Sequence, residues 1–183
     1  MTEQELLNLL DRLVTGWESE TVEFKEASRD YSTDKIGSYF SALSNEANLH
    51  GTDSAWLVFG VRDKTRTVVG TDYRPELARQ QSLKWQITQG TEPSVTFRAV
   101  YEVKHADGRV VMMEIPPAPA GIPIAWQGHY YARAGESLVS LGLDKQDQIR
   151  RQSLTTDWSA GIVPPNPADL AGHPDANRGA AVR

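Results

Sequence analysis

The feature that most constrains the fold is a nearly unbroken apolar segment at residues 55–61, which reads Ala-Trp-Leu-Val-Phe-Gly-Val. A strand with one face in solvent alternates apolar and polar side chains, and this segment shows no such alternation. The segment therefore predicts a central β-strand that is buried on both faces. A strand of this kind needs packed layers on both sides of its sheet.

Patterns on either side of this strand predict helices and further strands. Leucines spaced between polar residues, together with a Thr2–Glu5 capping box, predict an amphipathic helix over residues 2–15. Ser32 or Thr33 caps a second predicted helix. The other predicted elements are helices over 33–48, 75–89 and 144–152 and strands over 18–25, 67–70, 94–104, 109–115 and 128–133.

Several of these strands are joined by short turns, and the clearest hairpin signal lies at residues 105–108, His-Ala-Asp-Gly. Three to four helices and about six strands, several of them in hairpins, predict an α+β fold (mixed α/β) rather than a doubly wound sheet. We assign this domain to residues 1–154. Residues 155–183 contain four prolines and few apolar side chains, so they predict a flexible tail or linker.

The chain contains no cysteine, which excludes disulfide bonds and thiolate metal sites and is compatible with a reducing cytosol. Residues 1–5 are acidic and lack the basic start of a signal peptide. No apolar run approaches the ~18 residues of a membrane span. We therefore expect a cytoplasmic protein that has no membrane partner.

The net charge of −5 argues against nucleic-acid binding, but this charge is unevenly distributed. Residues 1–26 carry seven acidic and two basic side chains, whereas the rest of the chain carries seventeen of each. The acidic excess is therefore local. Clustered carboxylates of this kind are what a divalent metal ion needs, although acidic side chains on a helix face are also ordinary solvated charge.

Four boxes along the chain resemble the signature of the Schlafen-type AlbA domain, over roughly residues 17–143. The matching residues are, in chain order, Glu18, Glu23, Phe24, Lys25, then Ala42, Asn45, then Gly60, Val61, Asp63, Gly70, and finally 122–124 and 130–137. The chain departs from the family at residues 46–53, where a longer segment replaces a Gly-Gly turn. It departs again at Arg62, where an acidic residue is common.

The resemblance implies a nucleic-acid-binding domain. Bacterial relatives are described as DNA-binding or transcription-regulator modules, often fused to an ATP-binding region and a winged helix. In such a domain, basic side chains contact phosphates and an aromatic ring stacks on a base. The residues expected to do so are Lys25, Arg29, Lys35, Arg62, Lys64, Arg66 and Arg133 for phosphate and Tyr130 for stacking, with Tyr131 as an alternative that fits the core equally well.

The resemblance to Schlafen ribonucleases implies an alternative, a metal-dependent endoribonuclease with Glu18, Glu23 and Asp63 as its catalytic centre. These carboxylates would hold Mg²⁺ or Mn²⁺, which activates water and stabilises the leaving oxygen. Glu18 must then lie in a bend, because a spacing of five residues points two side chains to opposite faces of a strand. In the ordinary structural interpretation, Glu23 pairs with Lys25 on one strand face and Asp63 begins a turn.

Other partners and cofactors follow less directly. A third interpretation is a protein-interaction module, marked by an exposed apolar patch. The sequence does not distinguish DNA from RNA as the nucleic acid. It also leaves open whether the protein forms a homodimer and whether an ATP-binding region lies beyond residue 183. The histidines show no metal-ligand spacing, so no zinc site is predicted. They are His50, His105, His129 and His173.

Overall fold

The computed structural model describes residues 1–16, 19–74 and 76–153, and this part of the chain contains four helices and eight strands. They are α1 (Glu3–Thr15), β1 (Val22–Lys25), α2 (Thr33–His50), β2 (Ala55–Phe59), α3 (Leu77–Gly90), β3 (Thr91–Glu92), β4 (Ala99–His105), β5 (Gly108–Ile115), β6 (Ala125–Trp126), β7 (His129–Ala134), β8 (Ser137–Ser140) and α4 (Leu143–Arg151). The predicted α+β class is confirmed. The strands outnumber the six expected, partly because β3 and β6 are too short to leave a pattern in the sequence.

Strand β2 lies inside the first sheet, whose order is β1-β2-β5-β4. It runs parallel to β1 and antiparallel to β5, and all five of its residues are buried. The predicted central strand is therefore confirmed. Leu57 and Phe59 face a core shared with α2, whereas Trp56 and Val58 face a second core shared with α1. Successive side chains of a strand point to opposite faces, so the apolar run fills both cores.

Helix α2 also packs against a second, smaller sheet of order β3-β6-β7-β8. Asn45 makes this connection, because its side-chain nitrogen donates to the carbonyls of Ile124 at 2.9 Å and Tyr131 at 3.0 Å. Its side-chain oxygen accepts from the Ile124 N–H at 2.8 Å. Ser41 adds a hydrogen bond to the Ile124 carbonyl, also at 2.8 Å. These polar groups are buried and mutually satisfied, so they fix α2 against the second sheet.

The segment after β2 leaves the first sheet at a close crossing of backbones. Gly60 has a φ of +95°, and a Cβ at this position would lie 2.7 Å from the Arg109 carbonyl oxygen. A Cβ at Gly108 would lie 2.7 Å from the Gly70 Cα, so both positions need glycine. The Gly60 carbonyl accepts the Gly70 N–H at 3.0 Å. Residues 61–69 therefore form a loop that is closed at its base, and we call them the β2 loop.

The structure differs from the sequence predictions at several boundaries. The strand expected over 67–70 is reduced to one isolated bridge between Val61 and Val68, because the β2 loop closes on itself. Helix α2 extends to His50 and ends at Gly51, which has a φ of 64°. Residues 137–140, for which no strand was predicted, form β8 as a hairpin partner of β7.

Two further predictions, the helix start at Pro75 and the tail over residues 155–183, lie outside the described residues. None of the described helices is long and apolar enough to cross a membrane.

The position of β2 predicts its hydrogen exchange. We expect the amides of Ala55–Phe59 to be among the slowest to exchange, because both faces of this strand are buried and both edges are paired. Strand β8, which lies at a sheet edge and is mostly exposed, is the control within the same molecule. Hydrogen exchange measured by mass spectrometry or NMR tests this. Equal exchange rates in β2 and β8 would contradict the assignment.

Candidate functional site

The carboxyl ends of β1 and β2 bring three charged side chains together. Lys25, the last residue of β1, lies beside Phe59, the last residue of β2, and Asp63 follows in the β2 loop. The Lys25 Nζ lies 3.3 Å from the Asp63 Oδ2 and also pairs with the Glu23 Oε1. Lys25 therefore connects two of the three predicted carboxylates. The third, Glu18, lies outside the described residues.

Glu23 is buried against Arg133, a residue of β7 in the second sheet. The Glu23 side chain is 1% exposed and the Arg133 side chain 4% exposed, and the Arg133 Nη1 donates to the Glu23 Oε2. The guanidinium also donates to the Gly135 carbonyl from Nε at 3.2 Å and from Nη2 at 3.0 Å. Burial lowers the pKa of Arg133, against the opposing effect of Glu20 and Glu136. Arg133 thus forms a buried ion pair rather than the phosphate contact that the sequence predicted.

A cavity of about 170 Å³ opens beside this network. It is bounded by the end of α1, by β1 and by the turn between β7 and β8. The charged side chains that line it are Glu20, Glu23, Asp63, Arg66, Arg133 and Glu136. Carboxylates outnumber cations in this lining. Two of them, Glu20 and Glu23, belong to the acidic segment 1–26 that the sequence analysis identified.

Glu23 and Asp63 are not arranged to bind Mg²⁺ or Mn²⁺ while Lys25 occupies its present position between them. Glu23 and Asp63 carry two negative charges, and Lys25 and Arg133 already balance them at contact distance. A hard divalent cation needs free carboxylate oxygens, and its charge would repel an adjacent ammonium. Such a metal could enter only where Lys25 had moved away.

Three of the predicted phosphate contacts lie on the β2 loop. The Arg62 Nε lies 2.9 Å from the Glu26 Oε1, and both side chains are more than half exposed. Lys64 is exposed and, within the described part of the chain, has no carboxylate in ion-pair distance. The Arg66 guanidinium lies 5.8 Å from the centre of the Phe24 ring. Among the described residues, Arg62 thus has only an exposed acidic partner, and neither Lys64 nor Arg66 has a carboxylate within ion-pair distance.

Two tyrosines that the sequence interpretation missed lie beside two other predicted phosphate contacts, Lys25 and Lys35. The Lys25 Nζ lies 5.3 Å from the centre of the Tyr39 ring, and the Lys35 Nζ lies 6.0 Å from that of Tyr31. These distances allow cation–π attraction. Burial acts to lower the pKa of Lys25, but Tyr39 and Asp63 outweigh it, and the pKa is raised. Tyr39 could have been found from its sequence position next to the buried Phe40 of α2, because this position lies at the border of the apolar face of the helix.

Arg29 completes the group, with its Nε 4.0 Å from the Asp72 Oδ2 on an exposed surface. We call these side chains, at the carboxyl ends of β1 and β2, the basic edge. Its members are Lys25, Arg29, Lys35, Arg62, Lys64 and Arg66, with Tyr31 and Tyr39.

Tyr130, predicted to stack on a base, lies elsewhere. It packs, as Leu49 does, against a small apolar cluster that includes Ile149 of α4. Leu49 is ten residues beyond Tyr39 in the same helix, which is roughly 15 Å along the axis at 1.5 Å per residue. Tyr131 packs partly against the main core, as one of the two sequence interpretations expected. Neither ring belongs to the basic edge.

Comparison with known proteins identifies a family and two solved structures. The family described as Schlafen, AlbA_2 matches residues 18–142. The DIP2311 protein from Corynebacterium diphtheriae has a TM-score of 0.56 at 19% identity, over 81% of this chain and 28% of that chain. This chain therefore spans little more than a quarter of DIP2311. The N-terminal domain of a RecG-related protein from Nitrosomonas europaea has a TM-score of 0.46 at 23% identity, over 74% of this chain and 92% of that domain. No curated protein matches the chain.

The buried pair predicts strong coupling between Glu23 and Arg133. Glu23→Gln leaves the buried Arg133 guanidinium without its carboxylate, and Arg133→Met leaves the buried Glu23 with Lys25 as its remaining partner. We expect each to lower the free energy of unfolding, by about 3–5 kcal/mol for Glu23→Gln and by less for Arg133→Met. The double variant should lose clearly less than the sum of the two. Urea denaturation of the four proteins measures this coupling.

The exposed pair Arg62–Glu26 provides the matched control. Arg62→Met and Glu26→Gln should each cost less than about 1 kcal/mol, because both partners remain solvated without each other. Additive losses at Glu23 and Arg133, or equal losses at the two pairs, would contradict the structural role of the buried one.

Proposed function

This chain belongs to the Schlafen, AlbA_2 family, and on that premise we propose that its domain binds nucleic acid through the basic edge. The observation that supports the proposal is the gathering of six cations and two tyrosines at the carboxyl ends of β1 and β2. Lysine and arginine side chains bind phosphates, and unpaired bases stack on aromatic rings. The basic edge offers both kinds of group around the carboxyl ends of β1 and β2.

The ion pairs of the basic edge are easily exchanged for phosphate. Arg62 and Arg29 pair with carboxylates that are themselves more than half exposed. Pairs of this kind contribute at most about 1 kcal/mol, so a phosphate can replace the carboxylate at little cost. Lys35 and Lys64 are exposed and have no carboxylate in ion-pair distance among the described residues. These four side chains are the phosphate contacts that we propose.

The negative net charge limits where binding takes place rather than preventing it. The acidic excess is confined to residues 1–26, and two of its carboxylates, Glu20 and Glu23, line the cavity together with Asp63 and Glu136. A phosphate backbone is repelled from that cavity and attracted to the neighbouring cations. We further propose that the domain acts as a DNA- or RNA-binding part of a bacterial transcriptional regulator. In this role phosphate contacts position the protein along the nucleic acid.

Binding should be weakened by salt and by loss of the basic edge. We expect the affinity for a labelled oligonucleotide to fall steeply between ~50 and ~200 mM salt, because phosphate contacts release counterions. The double variant Lys35→Ala with Lys64→Ala should bind more weakly at every sequence and show a salt slope smaller by about 2. Fluorescence anisotropy with single- and double-stranded DNA and RNA measures both effects.

Arg150→Ala is the matched control, since this exposed arginine of α4 lies outside the basic edge. Its affinity should equal that of the unaltered protein. The proposal fails if no oligonucleotide binds at low salt, or if Arg150→Ala weakens binding as much as the double variant does.

Metal-dependent RNA cleavage by Glu18, Glu23 and Asp63 is the second candidate function. The observation that favours it is the cavity that Glu23 and Asp63 both line. The observation that opposes it is the Lys25 ammonium, which contacts both carboxylates. We rank it below binding, because the charges of the network are already balanced.

We therefore expect no cleavage of labelled RNA with Mg²⁺ or Mn²⁺. Asp63→Asn is a suitable variant, because the Asp63 side chain is 40% exposed and its substitution should leave the fold intact. A gel assay of the unaltered protein and this variant, with EDTA as a blank, tests the expectation. Metal-dependent cleavage by the unaltered protein that Asp63→Asn abolishes would make the nuclease the better account.

A further inference from the structure

A second cluster of possible ligands lies at the C-terminal end of α2, apart from Lys25 and Asp63. Glu46 and His50 are four residues apart in this helix, so their side chains lie on one face. Glu20, from the segment before β1, reaches the same point. The His50 Nε2 lies 3.1 Å from the Glu20 Oε2 and 3.6 Å from the Glu46 Oε2. One ligand atom from each residue lies within 4.8 Å of the other two.

The buried carboxylate of Glu46 points to a missing ligand. Its side chain is fully buried, and within the described part of the chain no donor forms a hydrogen bond with its Oε2. The His50 Nε2, at 3.6 Å, is too distant for a hydrogen bond. A buried carboxylate oxygen without a donor carries the full cost of its lost hydration. This oxygen faces the cluster, where a cation would satisfy it.

The other oxygens of the two carboxylates are held by the protein. The Glu46 Oε1 accepts from the Arg133 N–H at 3.0 Å and from the Lys145 Nζ at 2.7 Å. The Glu20 Oε1 accepts from the Gly135 N–H at 3.2 Å. Each carboxylate is thus oriented through one oxygen, which leaves the second directed at His50. Metal ligands are commonly oriented by such outer hydrogen bonds.

We propose that Glu20, Glu46 and His50 bind a divalent transition metal ion, with Zn²⁺ as the best fit. A tetrahedral zinc with nitrogen and oxygen ligands at roughly 2.0–2.2 Å holds neighbouring ligand atoms about 3.3–3.6 Å apart. The separations of 3.1 and 3.6 Å around His50 are close to these values. Imidazole favours zinc over magnesium, which prefers oxygen ligands. Two cations lie near the cluster. The Lys145 Nζ donates to the other Glu46 oxygen, Oε1, at 2.7 Å, and the Arg133 guanidinium is close enough to interact with the charge of Glu20.

The proposed site would connect parts of the chain that are distant in sequence. It joins the segment before β1 to α2 and, through the Arg133 and Gly135 backbone, to β7 and its turn. Three protein ligands leave a fourth position for water, and the Glu20 and His50 side chains are 30% and 49% exposed. A metal here would stabilise the junction of the two sheets. The inference does not depend on nucleic-acid binding.

The experiment uses the full chain without an affinity tag, stripped with EDTA and dialysed. We expect Zn²⁺ to bind with a stoichiometry of one by isothermal titration calorimetry. It should raise the Tm progressively with the logarithm of its concentration, by about 5 °C or more once free Zn²⁺ exceeds Kd roughly 100-fold. Mg²⁺ at the same concentration should produce neither effect.

His50→Gln and Glu20→Gln should each abolish the Tm shift and the binding heat. Both side chains are partly exposed, so circular dichroism should show an unchanged fold. His105→Gln is the matched control, because this histidine lies in the β4–β5 hairpin near Asp107 and should leave zinc binding unaltered. The absence of zinc binding in the unaltered protein would overturn the proposal. Equal zinc binding in both ligand variants would do the same.

Discussion

The buried ion pair between Glu23 and Arg133 is the interaction on which the rest of the site depends. It joins β1 of the first sheet to β7 of the second, two strands that belong to separate hydrogen-bonded ladders. The Arg133 backbone N–H also donates to Glu46, so α2 is held in the same network. Each of these two buried charges needs an opposite charge beside it, and Glu23 has a second cationic partner in Lys25. The geometry of the junction is therefore fixed by charge as well as by apolar packing.

This pair also determines what Lys25 and Asp63 can do. Arg133 occupies one oxygen of Glu23, and Lys25 occupies the other while also reaching Asp63. The charges of the interior are thereby balanced before any ligand arrives. Cations that lack buried partners remain on the outer side, along the β2 loop and the start of α2. The ion pairs of Glu23 and Asp63 are thus internally neutralised, whereas the neighbouring β2 loop and the start of α2 carry cations on the surface.

The sequence predicted those features that a local pattern encodes. The apolar run at 55–61 led to β2, and the spacing of Glu23 and Lys25 on one strand face led to their ion pair. Burial of Arg133 was not predictable, because it results from a contact between strands more than a hundred residues apart. The same holds for Tyr130, whose neighbours are set by α4. Histidine spacing likewise gave no hint of the cluster around His50, since its partners are glutamates and one of them comes from another segment.

The glycine crossing at the base of the β2 loop holds the loop independently of the side chains at its tip. The crossing is made from backbone atoms of Gly60, Gly70 and Gly108, so it does not involve the side chains at the tip of the loop. Residues 62–67 can therefore be exchanged or lengthened while the anchor stays in place. A long surface loop with fixed ends adds little entropic cost per added residue. The fold thus provides a rigid scaffold on which the tip of the β2 loop can be varied, so the loop is suited to directed evolution of new binding preferences.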